Sequence, residues 1–295
     1  MVDYVLELRG PGENGGLPVL HFGNEGELMK SFSTAQLSPP IVGHPGVRFL
    51  SFRGPALGRR GDVTLWISAD RHKGKPLPML LLLHGVFDSH WGWWMRGAVV
   101  ESAIAMVQRG ELPPIAIAMP SDGLWGDGSA YVRHGNEDAE TWIVKDVVQS
   151  VKHFFPSVET GKFFLSGSSM GGFAALRLGC KYADRVAGIS AHSSITRIEQ
   201  MPWFVPHSKS DYVTGRGEKL DILYWAAQNS KMLPPIRFDC GRKDTLFQAN
   251  RKLHHELTKL GIAHTFEEFQ GGHEWSYWRR HVRDTLRFVN RVAAT

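Results

Sequence analysis

The chain has 295 residues, 42% of them hydrophobic and 21% charged, a balance that supports a full apolar core and excludes a disordered or low-complexity polypeptide. Its formal net charge of +5 arises from 34 basic residues dispersed among 29 acidic ones. With only Arg59-Arg60 and Arg279-Arg280 as tight basic pairs, no nucleic-acid-binding stripe is expected, and the excess charge reads as solvated surface.

Residues 1–45 hold Gly10-Pro11-Gly12, Gly15-Gly16, Pro18, Pro39-Pro40 and Pro45 with little periodicity, which predicts an irregular amino-terminal extension or small strand-bearing arm ahead of a domain over 46–295. Met1 to Arg9 mixes Asp3, Glu7 and Arg9 with apolar residues and lacks a signal-peptide core, and no apolar run approaches bilayer length. The expectation is a cytoplasmic protein without a membrane partner.

Strands are predicted at Val47 to Phe52, Val63 to Ser68, Met79 to His84, Ile115 to Met119, Phe163 to Ser166, Val186 to Ala191, Ile236 to Cys240 and His264 to Phe269. Helical periodicity intervenes at Ala98 to Arg109, Glu140 to Phe155, Gly172 to Lys181, Gln248 to Leu260 and His281 to Val292. Two strands joined by a glycine-rich turn, then strand alternating with helix, predict an α/β fold: a mostly parallel sheet of about eight strands with helices on both faces. The segment 192–234, after the sixth strand, is too long for a simple connection and holds Trp203, Phe204, Tyr212, Tyr224 and Trp225, so it is predicted to be a partly helical cap.

In such sheets the ligand site lies beyond the carboxyl ends of the strands. Phe163-Phe164-Leu165-Ser166-Gly167-Ser168-Ser169-Met170-Gly171-Gly172 runs from an apolar strand through Gly-x-Ser-x-Gly into a helix, the context of a nucleophile elbow. Gly167 and Gly171 remove side chains that would collide at the turn, leaving Ser169 exposed at the strand end. A serine hydroxyl needs a base to take its proton and an acid to orient that base. His273, in Gln270-Gly271-Gly272-His273-Glu274-Trp275, follows the last strand, and Asp244 follows the strand before it. The order Ser, Asp, His is that of α/β-hydrolases. Asp239 is an alternative acid, although its place inside a strand favours a structural hydrogen bond. His192 follows a strand end and could line the pocket, but no acid-bearing loop accompanies it in the expected order; His254-His255 read as surface.

Leu83-His84-Gly85-Val86-Phe87-Asp88 follows the third strand, where the N–H of Val86 can join that of Met170 in an oxyanion hole, with His84 bracing the loop. Trp91, Trp93 and Trp94, then Trp125, Trp142, Trp275 and Trp278 crowd strand-end loops; Trp91, Trp94, Trp125, Trp142 and Trp275 are expected to wall a substrate cleft, with Trp66 in the core. Cys180 and Cys240 read as reduced, buried thiols, and no metal or nucleotide motif occurs, so neither metal nor cofactor is expected.

The set Leu83-His84-Gly85, Met119-Pro120-Ser121-Asp122-Gly123, Gly167 to Gly172, Asp239-Cys240-Gly241-Arg242-Lys243-Asp244 and Gly271-Gly272-His273-Glu274-Trp275-Ser276-Tyr277-Trp278 resembles the putative-esterase family of α/β-hydrolases, from about residue 47 onward. That family includes S-formylglutathione hydrolases, feruloyl and acetylxylan esterases, enterochelin esterases and mycolyltransferases. The resemblance implies an α/β-hydrolase catalytic domain over 46–295, Ser169 as nucleophile, Asp244 and His273 as its partners, and Val86 and Met170 as oxyanion donors. The amino-terminal extension and the 192–234 segment match no particular member. The expected activity is hydrolysis of a small-molecule carboxylic ester or thioester through an acyl-enzyme. An acyltransferase with the same machinery and a non-catalytic binding protein of the same fold are the alternatives, and homo-oligomerisation is left open.

Overall fold

The computed structural model describes residues 34–44, 46–68, 76–212, 217 and 219–294. The described residues begin with three antiparallel strands, β1 (Ala35–Leu37), β2 (Val47–Arg53) and β3 (Arg60–Ile67), before β4 (Met79–Leu83). Then come the helices α1 (Gly92–Met95) and α2 (Val99–Gln108), strand β5 (Ala116–Pro120), the two-residue strands β6 (Arg133–His134) and β7 (Glu137–Asp138), and α3 (Ala139–Thr141). A π-helical segment, Trp142–Val147, joins α3 to α4 (Val148–Phe154). Strand β8 (Phe163–Ser168), helix α5 (Met170–Lys181), strand β9 (Val186–His192), helix α6 (Ile222–Gln228), strand β10 (Ile236–Gly241), helix α7 (Phe247–Lys259), strand β11 (Thr265–Phe269) and helix α8 (Trp275–Ala293) complete the chain.

Among the described residues the main sheet has nine strands in the order β1-β2-β3-β5-β4-β8-β9-β10-β11, and the run from β5 to β11 is parallel throughout. The ninth strand beyond the eight expected is β1, inside the segment read as an irregular extension or small strand-bearing arm; residues 1–33 and 45 of that segment lie outside the described residues. Helices cover both faces of the sheet centre, so every residue of Met79–Leu83 is buried and the strand carries an unbroken apolar run.

On one face α2 and α8 pack over Leu80, Leu82, Ile117 and Phe164, contributing Val99, Ala103, Met106, Val282, Leu286 and Val289. Helix α8 begins six residues before the expected His281, because the apolar stripe of Val282, Leu286 and Val289 extends back through Trp278. On the other face α5 packs against β8 and β9. Between β9 and β10, 3₁₀ turns at Ile198–Trp203 and Lys209–Tyr212 precede α6. Among the described residues no helix is long and apolar enough to cross a membrane.

Candidate active site

The carboxyl ends of β8, β10 and β11 meet at one rim of the sheet. Strand β8 ends at Ser168, and Ser169 then takes φ 54° and ψ −118° before α5 opens at Met170. A non-glycine residue in that region is strained and needs surrounding structure to hold it. The hold is close packing: a Cβ on Gly167 would lie 2.5 Å from the carbonyl carbon of Gly171, and one on Gly171 would lie 2.6 Å from the His84 carbonyl oxygen. Only hydrogen fits at either position.

His273 sits on the loop between β11 and α8. Its Nε2 lies 3.0 Å from Ser169 Oγ, and its Nδ1–H faces both Asp244 oxygens, at 3.1 and 3.0 Å. Asp244 follows β10 with its carboxylate wholly shielded, and Oδ1 also accepts the N–H of Leu246 at 2.8 Å. The two loops are tied by the N–H of Lys243, which donates to the Gly271 carbonyl at 2.9 Å. Three residues spaced over more than a hundred positions are thus brought together in the order hydroxyl, imidazole, carboxylate.

Beside the hydroxyl lies the loop after β4. A Cβ on Gly85 would stand 3.4 Å from Ser169 Cβ, so the chain just before Val86 passes directly against the serine. Met170 is the first residue of α5, so its N–H has no carbonyl behind it in the helix. The loop is braced from three sides: Tyr131 Oη donates to the His84 carbonyl at 3.2 Å, the Asp122 N–H donates to His84 Nε2 at 3.1 Å, and the Phe87 N–H donates to the Asp127 carbonyl at 2.9 Å. Tyr131 is fixed in turn by Arg177 of α5, which donates to its carbonyl while pairing with Glu140.

The tryptophans divide. Trp142 is wholly buried, stacked at a tilt on Phe52 with its N–H given to the Ser121 carbonyl, and Trp94 is buried with its edge against His44 and Phe49. Both are core residues and not cleft walls, because their segments turn them inward under the antiparallel strands. Trp91 is 36% exposed, and Trp125 is half-buried, stacked on His134. Trp275 is half-buried between Trp93 and Trp278, with the Arg96 guanidinium over its ring.

Phe204, not singled out among the aromatics of its segment, is the ring that meets the imidazole: its centroid lies 5.1 Å from that of His273 with planes inclined 30°, and Trp278 meets the same imidazole edge-on. His192 does not line the pocket. It is buried, its Nδ1–H donates to Asp239 at 2.8 Å, and its Nε2 is occupied by Thr285 at 2.7 Å. Asp239 was thus the partner of His192, one strand over and in register with it.

Cys180 and Cys240 are buried free thiols, and burial pushes Cys180 up to about 12, so neither carries a ready thiolate. Among the described residues no group of three or more His, Cys, Asp or Glu side chains could hold a metal ion.

The fold is that of an α/β-hydrolase. Solved structures agree: the chain superposes on a ferulic acid esterase with a TM-score of 0.72 at 22% identity, covering 88% of this chain and 98% of that one. An S-formylglutathione hydrolase from Staphylococcus aureus gives a TM-score of 0.70 at 20% identity, covering 82% and 97%. In sequence, an acetyl esterase of Caldicellulosiruptor saccharolyticus is 27% identical over 74% of this chain and 85% of its own length. The profile described as "Putative esterase" matches residues 56–289, so the chain belongs to the putative-esterase family and is a carboxylic ester hydrolase.

Proposed function

We propose that Ser169 is the nucleophile of this esterase, His273 its general base and acid, and Asp244 the group that fixes the imidazole tautomer. The observation that carries this reading is the imidazole of His273, with Nε2 3.0 Å from Ser169 Oγ and Nδ1 on the Asp244 carboxylate. Ser169 Oγ bonds to the acyl carbon as its proton passes to His273 Nε2, and the alcohol departs with that proton. A water molecule then gives a proton to His273 and its oxygen to the acyl carbon, releasing the acid and restoring Ser169. The N–H groups of Val86 and Met170 receive the developing oxyanion, each such donor contributing about 3 kcal/mol to the transition state. The strained backbone of Ser169 and the packed glycines on either side support this reading, since they hold the hydroxyl at the head of α5.

The described residues of the 192–234 segment act as a cap on the leaving-group side, a reading supported by the contact of Phe204 with His273. The substrate is a small-molecule ester; the relative named acetyl esterase supports a short acyl group. Product analysis with p-nitrophenyl acetate and added alcohols tests the acceptor. Acetic acid as sole acyl product is expected, and accumulation of the acetylated alcohol in place of acid would make the protein a transferase. In the same assay Ser169→Ala is expected to lose activity on the order of 10⁶-fold. Retention of more than a tenth would remove Ser169 from the reaction.

A further inference from the structure

Directly beneath the three rim residues lies a second, fully enclosed histidine and aspartate pair. Asp239 Oδ2 accepts from His192 Nδ1 at 2.8 Å and from Arg237 Nη2 at 2.7 Å, while Oδ1 accepts from Tyr277 Oη at 2.7 Å. Thr285 and Ser190 close the cluster, Thr285 at His192 Nε2 and Ser190 at both Thr285 and Arg237. Burial pushes the Asp239 carboxyl up, but His192 and Arg237 outweigh it and hold the group below the usual carboxylate range. Asp239, His192 and Thr285 are wholly buried, and Nε2 of His192 points away from the rim, so the pair has no route to substrate.

Buried charge clusters are weak sources of stability, and apolar residues of the same volume often serve as well. What this one has is connectivity. The His192 carbonyl accepts the N–H of Ser169 at 3.0 Å, inside the strained turn. Asp239 stands on β10, five residues before Asp244. Tyr277 stands in the first turn of α8, four residues after His273, and its ring fills the space at Gly271, where a Cβ would come within 2.5 Å of Tyr277 Cδ2. Each member is thus one short step of chain or one hydrogen bond from a different member of the rim.

We infer that the His192, Asp239 and Tyr277 cluster is a positioning device that fixes the elbow, the β10 loop and the β11 to α8 loop against one another, with the Tyr277 hydroxyl as the bond that locks the His273 loop. This rests on the proposed roles of Ser169, His273 and Asp244. None of the cluster touches substrate. Its effect is on the distance between imidazole and hydroxyl, where a misplacement near 1 Å can cost about a hundredfold in rate.

Tyr277→Phe is the test, because it keeps the ring against Gly271 and leaves Asp239 paired with His192 and Arg237. Labelling of Ser169 by a fluorophosphonate is first measured in the parent protein; its absence would remove the rim reading itself. With labelling established, Tyr277→Phe is expected to lower kcat for p-nitrophenyl acetate about tenfold, with KM within twofold of the parent. The comparison is Leu50→Ala, a cavity in β2 at the far side of the sheet that lowers Tm without touching either loop. The low-field proton resonance that disappears in His273→Ala is expected to broaden in Tyr277→Phe and to stay sharp in Leu50→Ala. A kcat for Tyr277→Phe within threefold of that for Leu50→Ala, or an unchanged resonance, would overturn the positioning role while leaving the rim reading intact.

Discussion

The ring of Phe204 lies on the imidazole of His273, centroids 5.1 Å apart, and approaches from the segment between β9 and β10. In the proposed reaction His273 hands its proton to the departing alcohol, so a side chain against the imidazole borders the leaving group and not the acyl group. Phe204→Ala is expected to raise KM three- to tenfold for aryl acetates and less than twofold for methyl acetate, the loss of one apolar wall being worth about 1 kcal/mol. Steady-state kinetics on the two substrates checks this. Equal effects on both would place Phe204 away from the leaving group.

The elbow supplies a contrast between two glycines. Gly171→Ala drives a methyl into the carbonyls of Leu83 and His84, which are backbone and cannot step aside, so the variant is expected to be insoluble or to lose several kcal/mol of stability. Gly85→Ala meets Ser169 Cβ at 3.4 Å and Oγ at 3.9 Å, an ordinary contact, so it is expected to fold with a Tm near that of the parent but to turn over more slowly. Thermal melts with kinetics on soluble protein separate the two; a fully active, stable Gly171→Ala would contradict the packing described for the turn.

Glu140 gives a pH dependence of known sign. Burial pushes its carboxyl up, but Arg177, Lys181 and Tyr182 outweigh that and bring it from 4.5 down to about 2. A group lowered on folding stabilises the fold above its unfolded pKa, and that stability is lost as pH falls from about 4.5 towards 2. The shift corresponds to about 3 kcal/mol. Glu140→Gln is expected to be less stable than the parent at pH 7 and to converge with it towards pH 2. Denaturant melts across this window that ran parallel would refute the linkage.

Trp142 is buried beneath the antiparallel strands, so its loss is a packing loss. Trp142→Ala is expected to cost about 3–5 kcal/mol of stability, with KM for p-nitrophenyl acetate unchanged in the protein that remains folded. A raised KM at unchanged stability would return this residue to the cleft.

What was legible in the sequence follows from where the physics is local. Strands such as Met79–Leu83 are written as unbroken apolar runs because both faces are covered, and the serine turn is written as glycines because backbone passes within contact distance there. Strand β1 was allowed for only as a small strand-bearing arm and could not be located: three residues, two half-buried and one exposed, paired to one neighbour impose no periodicity. Nor could the strand-end position of Trp94 or Trp142 say which way each ring turns, since that depends on the antiparallel strands they pack under. The His192 and Asp239 pair needed the register of β9 against β10 to be seen, although charged residues at 237 and 239, on one face of an otherwise apolar strand, are a signal of a buried polar cluster. Phe204 was hidden for a simpler reason, being one of five aromatics in a segment whose path no local pattern fixes.

The proposed reaction depends on activation of the Ser169 hydroxyl by the imidazole of His273. The direct measurement is peptide mapping by mass spectrometry after brief exposure to a fluorophosphonate, run in parallel on the parent and on His273→Ala. A single adduct on Ser169, formed rapidly in the parent and at least a hundredfold more slowly in the variant, is the predicted result. An adduct on Ser166 or Ser168, or equal labelling of both proteins, would contradict it.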